Sequence, residues 1–350
     1  MLVLDRKGSY ENMRNGEGAF LTLKDGRILF AYSRYRDHGN SDDHTADIGS
    51  MISSDGGKSF ADAGILVECA SVNAKNMMSV SLMRMQNGDA GLFYLVRYPD
   101  DRLLMYLKRS GDEGRTWSDA VLCTPEGAYF VVNNDRVIRL SNGDILIPAA
   151  QHKKSGSCFD AASDAVFFLS HDDGRTWEKA PGKVCMPHTA HAVNTMQEPL
   201  AVELAPGFLW GLARTDLGRQ YEFFSRDGGR TWTQAEPSAF TAPCSPICMK
   251  RLRDGRLFAV WNPIPIYPGH GEFCGSVWTG GRSPLVYAVS CDNGITFSEP
   301  VPIETDPESG FCYCSIHETD DGILLAYYAG SRTDGSLFNR LRIRLIGKPE

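Results

Sequence analysis

Apolar and polar residues alternate along most of this chain, and the alternation breaks repeatedly at one kind of tight turn. LKDGRIL around Gly26, MQNGDAG around Gly88, LSNGDIL around Gly143, LAPGFLW around Gly207, LRDGRLF around Gly255 and TDDGILL around Gly322 each place hydrophobic runs on both sides of a glycine. Alternation with period two predicts half-buried strands, and Asp-Gly or Asn-Gly between two such runs predicts a hairpin. Six hairpins are therefore expected.

A second pattern runs out of phase with the hairpins. The octamer Ser-x-Asp-x-Gly-x-[Thr/Ser]-[Trp/Phe] begins at Ser53, Ser110, Ser170, Ser225 and Ser290, at intervals of 57, 60, 55 and 65 residues. A period of this size marks stacked or radially arranged units, none of which buries its apolar face alone. Each octamer reads as a turn: Ser and Asp bond nearby backbone, Gly takes positive φ, and the aromatic fills a core. In the first five units the octamer follows the hairpin glycine by 18 to 35 residues, room for a third strand. The sixth hairpin is followed by NRLRIRLIG, so Met1 to Leu4 are expected to supply the missing outer strand of the last unit. The pattern predicts an all-β fold: one domain over residues 1–350, a six-bladed β-propeller of four-stranded antiparallel blades.

Composition narrows the function. The net charge of −7 disfavours nucleic acid as partner, and an acidic ligand would need a local basic site. No apolar run is long enough for a membrane-spanning helix, and MLVLDRKGSY lacks the features of a signal peptide. Ten cysteines without metal-ligand spacing then suggest reduced thiols in a cytoplasm. His188 and His191 lack a third ligand at suitable spacing and are read as hydrogen-bonded or solvated loop residues, so no metal is expected.

Equal offsets from the hairpin glycines should lie at equal depth. Nine residues before them stand Glu17, Ser79, Asn134, Glu198, Pro246 and Tyr313, which is not a core pattern. Seven to nine residues after them stand Arg34, Arg97, His152, Arg214 and Asn262. Glu198 is thus expected beside Arg214, and Glu17 beside Arg34. Asn133, Asn134, Asp135 and Arg136 either line the pocket or form a hydrogen-bonded strand start. Gln220, Tyr221 and the loop from Pro263 to Gly280 are candidates for the rim.

With these segments in view, the chain resembles the sialidase (neuraminidase) superfamily, with its BNR or Asp-box repeats, over all six units. QEPLAVEL followed by LWGLAR resembles the family's glutamate strand and following arginine, which implies Glu198 and Arg214 in those roles. GGRSPLVYAVSCDNGITF implies a further arginine at Arg282, and GFCYCSIHETDDGILLAYY implies a nucleophile at Tyr313. NSDDHTADIGSMISSDGG resembles the loop of the acid/base aspartate, with Asp42 fitting best, Asp43 next to it, and Asp47 structural. The family opens its first unit with Arg-Ile-Pro, whereas this chain reads MRNGEGAF, with Arg14 two residues early and Gly16 at the matching position. Arg14 or Arg34 takes that arginine's place, or the clamp has two arginines; the expectation carried forward is Arg34, oriented by Glu17.

The resemblance implies a retaining exo-glycosidase that acts without a cofactor on terminal sialic acid, as in a sialoglycoconjugate, or on a related acidic sugar. Glu198 would activate Tyr313, Asp42 would serve as acid and base, and Arg214 and Arg282 would grip the substrate carboxylate. Two other classes stay open: a lyase or glycosidase acting on a uronate, and a non-catalytic glycan-binding propeller.

Overall fold

The computed structural model describes residues 1–155, 158–186, 192–266 and 278–349. Among these, the regular structure is strand apart from two short 3-10 turns at Cys69–Val72 and Arg332–Asp334, and no helix is long and apolar enough to cross a membrane. The first sheet runs Asn15–Thr22, Ile28–Tyr35, Ala46–Ser53, Ala61–Val67 in spatial order. Gln197–Ala205, Phe208–Arg214, Arg219–Ser225 and Glu236–Thr241 form another such meander, and Cys248–Arg251, Leu257–Trp261, Leu285–Ser290 and Val301–Glu304 a third. In the last sheet Cys312–Glu318, Ile323–Tyr328 and Arg340–Ile346 are joined by Leu2–Lys7 as the outer strand. The pairing of Arg6 with Leu341 and of Lys7 with Arg340 fixes that register, so the start of the chain does complete the last unit.

One region departs from separate antiparallel units. Asn76–Arg84, Ala90–Arg97 and Leu103–Ser110 belong to a nine-stranded sheet with Ile145–Ser155, Cys158–Ser170 and Glu178–Val184. Tyr129–Val131 joins the halves by pairing antiparallel with Ile145–Ser155 and parallel with Leu103–Ser110 at Tyr129 and Leu103. The reason lies in Asn133 to Arg136. Asp135 has φ 60°, its N–H donates to the Val80 carbonyl, and its carboxylate accepts from the Ile316 N–H. Backbone spent on neighbouring strands cannot continue a regular inner strand, which here shrinks to Ile138–Arg139.

The apolar faces meet between consecutive units. Leu29 and Ala31 pack with Leu92 and Tyr94, and Phe93 and Met105 with Ile147 and Phe168. Phe30 and Tyr32 pack with Leu324 and Ile343, which joins the last sheet to the first. Burying a side chain such as Phe30 contributes roughly 1.5–3 kcal/mol.

Each octamer forms the turn its residues dictate. In the first, the Ser53 hydroxyl donates to Asp55 Oδ1 at 2.8 Å and accepts from the Gly57 N–H, while Ser59 donates its N–H and hydroxyl to the Asp55 carboxylate. The same bonds recur around Asp112, Asp172, Asp227 and Asp292. The closing aromatics Phe60, Trp117, Trp177, Trp232 and Phe297 pack against the clusters between sheets.

Candidate active site

Four first strands carry the same irregularity at the same offset from their hairpin glycines. Between Gly16 and Ala19, Met78 and Ser81, Gln197 and Leu200, and Cys312 and Ser315, the register admits one extra residue. The residues at these bulges, Glu17, Ser79, Glu198 and Tyr313, have φ of 50°, 57°, 47° and 57°. A left-handed non-glycine costs about 1–3 kcal/mol and persists where surrounding structure imposes it; a bulge re-aims the side chain it carries. Here two pairs of these residues meet.

Tyr313 donates its hydroxyl to Glu198 Oε1 at 2.8 Å, and Arg214 Nη1 donates to Glu198 Oε2 at 2.8 Å and to the Tyr313 oxygen at 3.4 Å. Arg214 Nε reaches Cys244 Sγ, and Arg282 is fixed by Cys312 Sγ at 3.0 Å and the Cys244 carbonyl. The Arg282 guanidinium lies 5.3 Å from the Tyr313 ring centre. Tyr313 itself is half-buried, so its ring is not sealed between sheets. Burial works against the Glu198 charge, but Arg214, Arg282 and the Tyr313 hydroxyl outweigh it and hold its pKa below the usual value. For Tyr313, burial and then the Glu198 charge push the phenol well up, against the pull of Arg214 and Arg282. The pair is thus a neutral phenol poised on a carboxylate, an arrangement suited to nucleophilic attack with proton removal.

The first unit contributes a second group. Buried Arg14 donates from Nη1 to Asp42 Oδ1 at 2.7 Å, from Nε to the Tyr328 hydroxyl at 2.7 Å, and from Nη2 to Glu17 Oε1. Ser79 donates to the other Glu17 oxygen at 2.8 Å, tying the two bulges together. Burial raises the Glu17 pKa, Arg14 opposes the rise and the Asp42 charge adds to it. Asp42 is exposed and also accepts from the Tyr35 hydroxyl at 3.3 Å. Asp43 faces Lys75 and Arg97 instead, and a hydrogen bond from Lys75 lowers its pKa. Asp47 accepts from the buried Cys69 N–H, a structural bond.

One sequence expectation, the Glu17–Arg34 pair, is corrected here. Glu17 meets Arg14 and not Arg34: register pairs Arg34 with Asn15, and its stem lies over Gly49, where an added Cβ would sit 3.2 Å from Arg34 Cβ. That is the side of Tyr32, which packs toward the last sheet, and among the described residues Arg34 makes no hydrogen bond or ion pair with the site. Asn134 and Arg136 are buried ties. Asn134 Nδ2 donates to the Gly18 carbonyl at 3.0 Å and the Tyr313 carbonyl at 3.2 Å, and Arg136 Nη2 to the Ile247 carbonyl at 2.6 Å. Tyr221 sits on the third strand of its sheet, opposite Ala213 and Pro237, and joins none of these contacts. Part of the Pro263 to Gly280 loop, together with His188 and His191, lies outside the described residues; among those described, no group of three or more His, Cys, Asp or Glu could hold a metal.

Sequence reasoning missed Phe338, Tyr328, Cys244 and Cys312's contact with arginine. The Phe338 ring centre lies 4.6 Å from the Arg14 guanidinium and 5.8 Å from that of Arg282. Phe338 comes from the loop after Tyr328, which carries no hairpin or octamer signal. Only the aromatic pair in LLAYY hinted that Tyr328 had something to do.

Residues 72–325 match a family described as BNR repeat-like domain. A sialidase from Bacteroides fragilis (strain YCH46) is 23% identical over 235 residues, which takes in 65% of this chain and 39% of that relative. The chain therefore spans well under half the length of this curated relative. Among solved structures, the NanB sialidase from Streptococcus pneumoniae is similar with a TM-score of 0.70 at 13% identity, covering 99% of this chain and 69% of that one. An intramolecular trans-sialidase from Ruminococcus gnavus, in complex with oseltamivir carboxylate, gives 0.71 at 15% identity over 97% of this chain and 96% of that one. At such identities the likeness is one of fold.

Proposed function

The chain belongs to the BNR repeat-like family, and from that premise we propose that it is a six-bladed propeller acting as a retaining exo-glycosidase on terminal sialic acid or a related acidic sugar. The apolar clusters linking consecutive units and joining the last to the first support the blade count. The five like-bonded octamers are its Asp-boxes. The observation that carries the function is the 2.8 Å bond from Tyr313 to Glu198, braced by Arg214.

A substrate with a carboxylate on its anomeric carbon repels an anionic nucleophile, and a neutral tyrosine avoids this. In the first displacement the Tyr313 oxygen bonds to the anomeric carbon while Glu198 takes its proton. The bond to the aglycone oxygen breaks, and Asp42 supplies that oxygen's proton. In the second, Asp42 takes a proton from water, the water oxygen attacks the anomeric carbon, and Tyr313 leaves and recovers its proton from Glu198. Two inversions give retention. Arg214 and Arg282 bind the carboxylate through charge-assisted hydrogen bonds. Every step uses side chains of this chain.

The test is product analysis by NMR on a panel of sialosides and uronosides. Release of the sugar with retained configuration supports the reading. An unsaturated product moves it to a lyase, and binding without turnover moves it to a glycan-binding propeller.

A further inference from the structure

We propose that Arg14, held by Glu17, is a positioning residue for Asp42 and not a ligand of the substrate carboxylate, so that Arg214 and Arg282 grip the anion alone. This rests on the glycosidase reading above and sharpens it.

A guanidinium has five N–H donors. On Arg14 four are committed: Nε to Tyr328, Nη1 to Asp42 and to the Asn40 carbonyl, and Nη2 to Glu17. Its faces are covered by aromatic rings, with Tyr35, Phe338 and Tyr328 centred 4.5, 4.6 and 5.1 Å from its central carbon. The side chain is 5% exposed. Arg214 is 14% exposed, and among the described residues its Nη2 has no hydrogen-bond partner, so it keeps a donor edge for a ligand.

Charge points the same way. The Arg14 guanidinium is already shared between the Glu17 and Asp42 carboxyl groups, so its charge is engaged inside the protein before an anion arrives. The substitution at Gly16 is part of the same arrangement. A Cβ there would run into the Tyr328 ring, so a longer side chain at Gly16 and Tyr328 in its place are mutually exclusive. Tyr328 in turn fixes Arg14 Nε.

Asp42 sits in a segment without regular structure, and its carboxylate is anchored by Arg14 and Tyr35. When it gives up its proton to the leaving oxygen, the carboxylate left behind meets Arg14 Nη1 in a charge-assisted bond that strengthens in the transition state. Glu17 shares the same arginine and fixes its orientation toward Asp42.

The experiment uses two glycosides of the same acidic sugar, one with a nitrophenyl and one with an alkyl leaving group. An activated aryl aglycone departs without help from an acid, whereas an alkyl aglycone needs it. Arg14→Gln is expected to lower kcat on the alkyl glycoside on the order of 100-fold, to lower it by about tenfold or less on the nitrophenyl glycoside, and to leave both KM values nearly unchanged. A rise in KM of equal size on both, with kcat kept, makes Arg14 a carboxylate ligand and overturns the proposal. Because Arg14→Gln strands a buried Glu17, the double variant Arg14→Gln/Glu17→Gln is measured alongside, with circular dichroism and melting to verify folding. The same leaving-group split is expected there, and an unchanged alkyl kcat in the folded double variant overturns the proposal. A wild-type protein that cleaves neither glycoside overturns the glycosidase reading itself, a distinct outcome, and this proposal falls with it.

Discussion

Tyr313 and Glu198, 115 residues apart in the chain, are brought to 2.8 Å by one backbone device used twice: each occupies a one-residue bulge with φ of 57° and 47°. The phenol is positioned by the first strand of the last sheet and the carboxylate by the first strand of another, so neither depends on a loop.

Tyr313→Phe is expected to reduce kcat by ~10³-fold or more while the fold and product binding persist, because only the hydroxyl is removed. Steady-state kinetics, circular dichroism and calorimetric titration with the product sugar check this. Retention of even a tenth of wild-type kcat would exclude Tyr313 as nucleophile.

Glu198 has its pKa lowered by the fold from the usual 4.5. Its contribution to stability is therefore complete above that value and is lost as pH falls through the lower folded value. Its service as base follows the same limb, so kcat/KM should hold down to pH 4.5 as far as Glu198 governs it. A profile of kcat/KM against pH, with inhibitor-protected protein as a stability control, tests the sign. Glu198→Gln should also destabilise by about 3 kcal/mol, since Arg214 would be left buried without its partner.

Asp112 and Asp292 in the octamers are held at about 2, chiefly by the threonine hydroxyls that donate to them, and Asp55 likewise by Ser59. Their stabilising effect is present above the ordinary aspartate value and fades as pH drops toward 2. Asp112→Asn should lower the melting temperature at neutral pH and converge with wild type in strong acid. Parallel melting curves at all pH values would contradict the role of that carboxylate.

Arg34→Ala is expected to leave KM for an acidic glycoside within about twofold, because binding losses of tenfold or more accompany removal of a charged hydrogen bond to ligand, and among the described residues Arg34 makes no bond within the site. A tenfold rise in KM would return Arg34 to the pocket.

Asn134→Ala should cost about 1–3 kcal/mol, because it strips hydrogen bonds from the buried carbonyl of Gly18 and the half-buried carbonyl of Tyr313. Urea unfolding measures it. A loss of activity with stability unchanged would mean that Asn134 acts on substrate instead.

Much of this was legible in the sequence because the chain repeats itself. The octamers use the same four bonds each time, so their residue types are nearly free of context. Counting nine residues back from each hairpin glycine found Glu17, Ser79, Glu198 and Tyr313 because the bulge recurs at that depth. It failed at Asn134, where the left-handed residue is the next one, Asp135, and at Pro246, whose ring holds φ negative. Arg14 escaped the count because it precedes its strand and reaches back along it. Facing positions in a regular hairpin suggested Arg34 for Glu17, but the bulge breaks that register. The merging of two units through Tyr129–Val131 depends on backbone partners, which residue types do not announce.

The pairing of Leu2–Lys7 with Arg340–Ile346 has a consequence for how the last sheet forms. Among the described strands Leu2–Lys7 pairs only with Arg340–Ile346, so its ladder depends on a partner more than three hundred residues away in sequence. Each other strand finds a neighbour within its own stretch of chain. Contacts so distant in sequence form slowly, since loop closure must precede any gain from them. Completion of the last sheet is thus the slow step of assembly, and until it happens the open edge of Arg340–Ile346 is what a second chain would meet first.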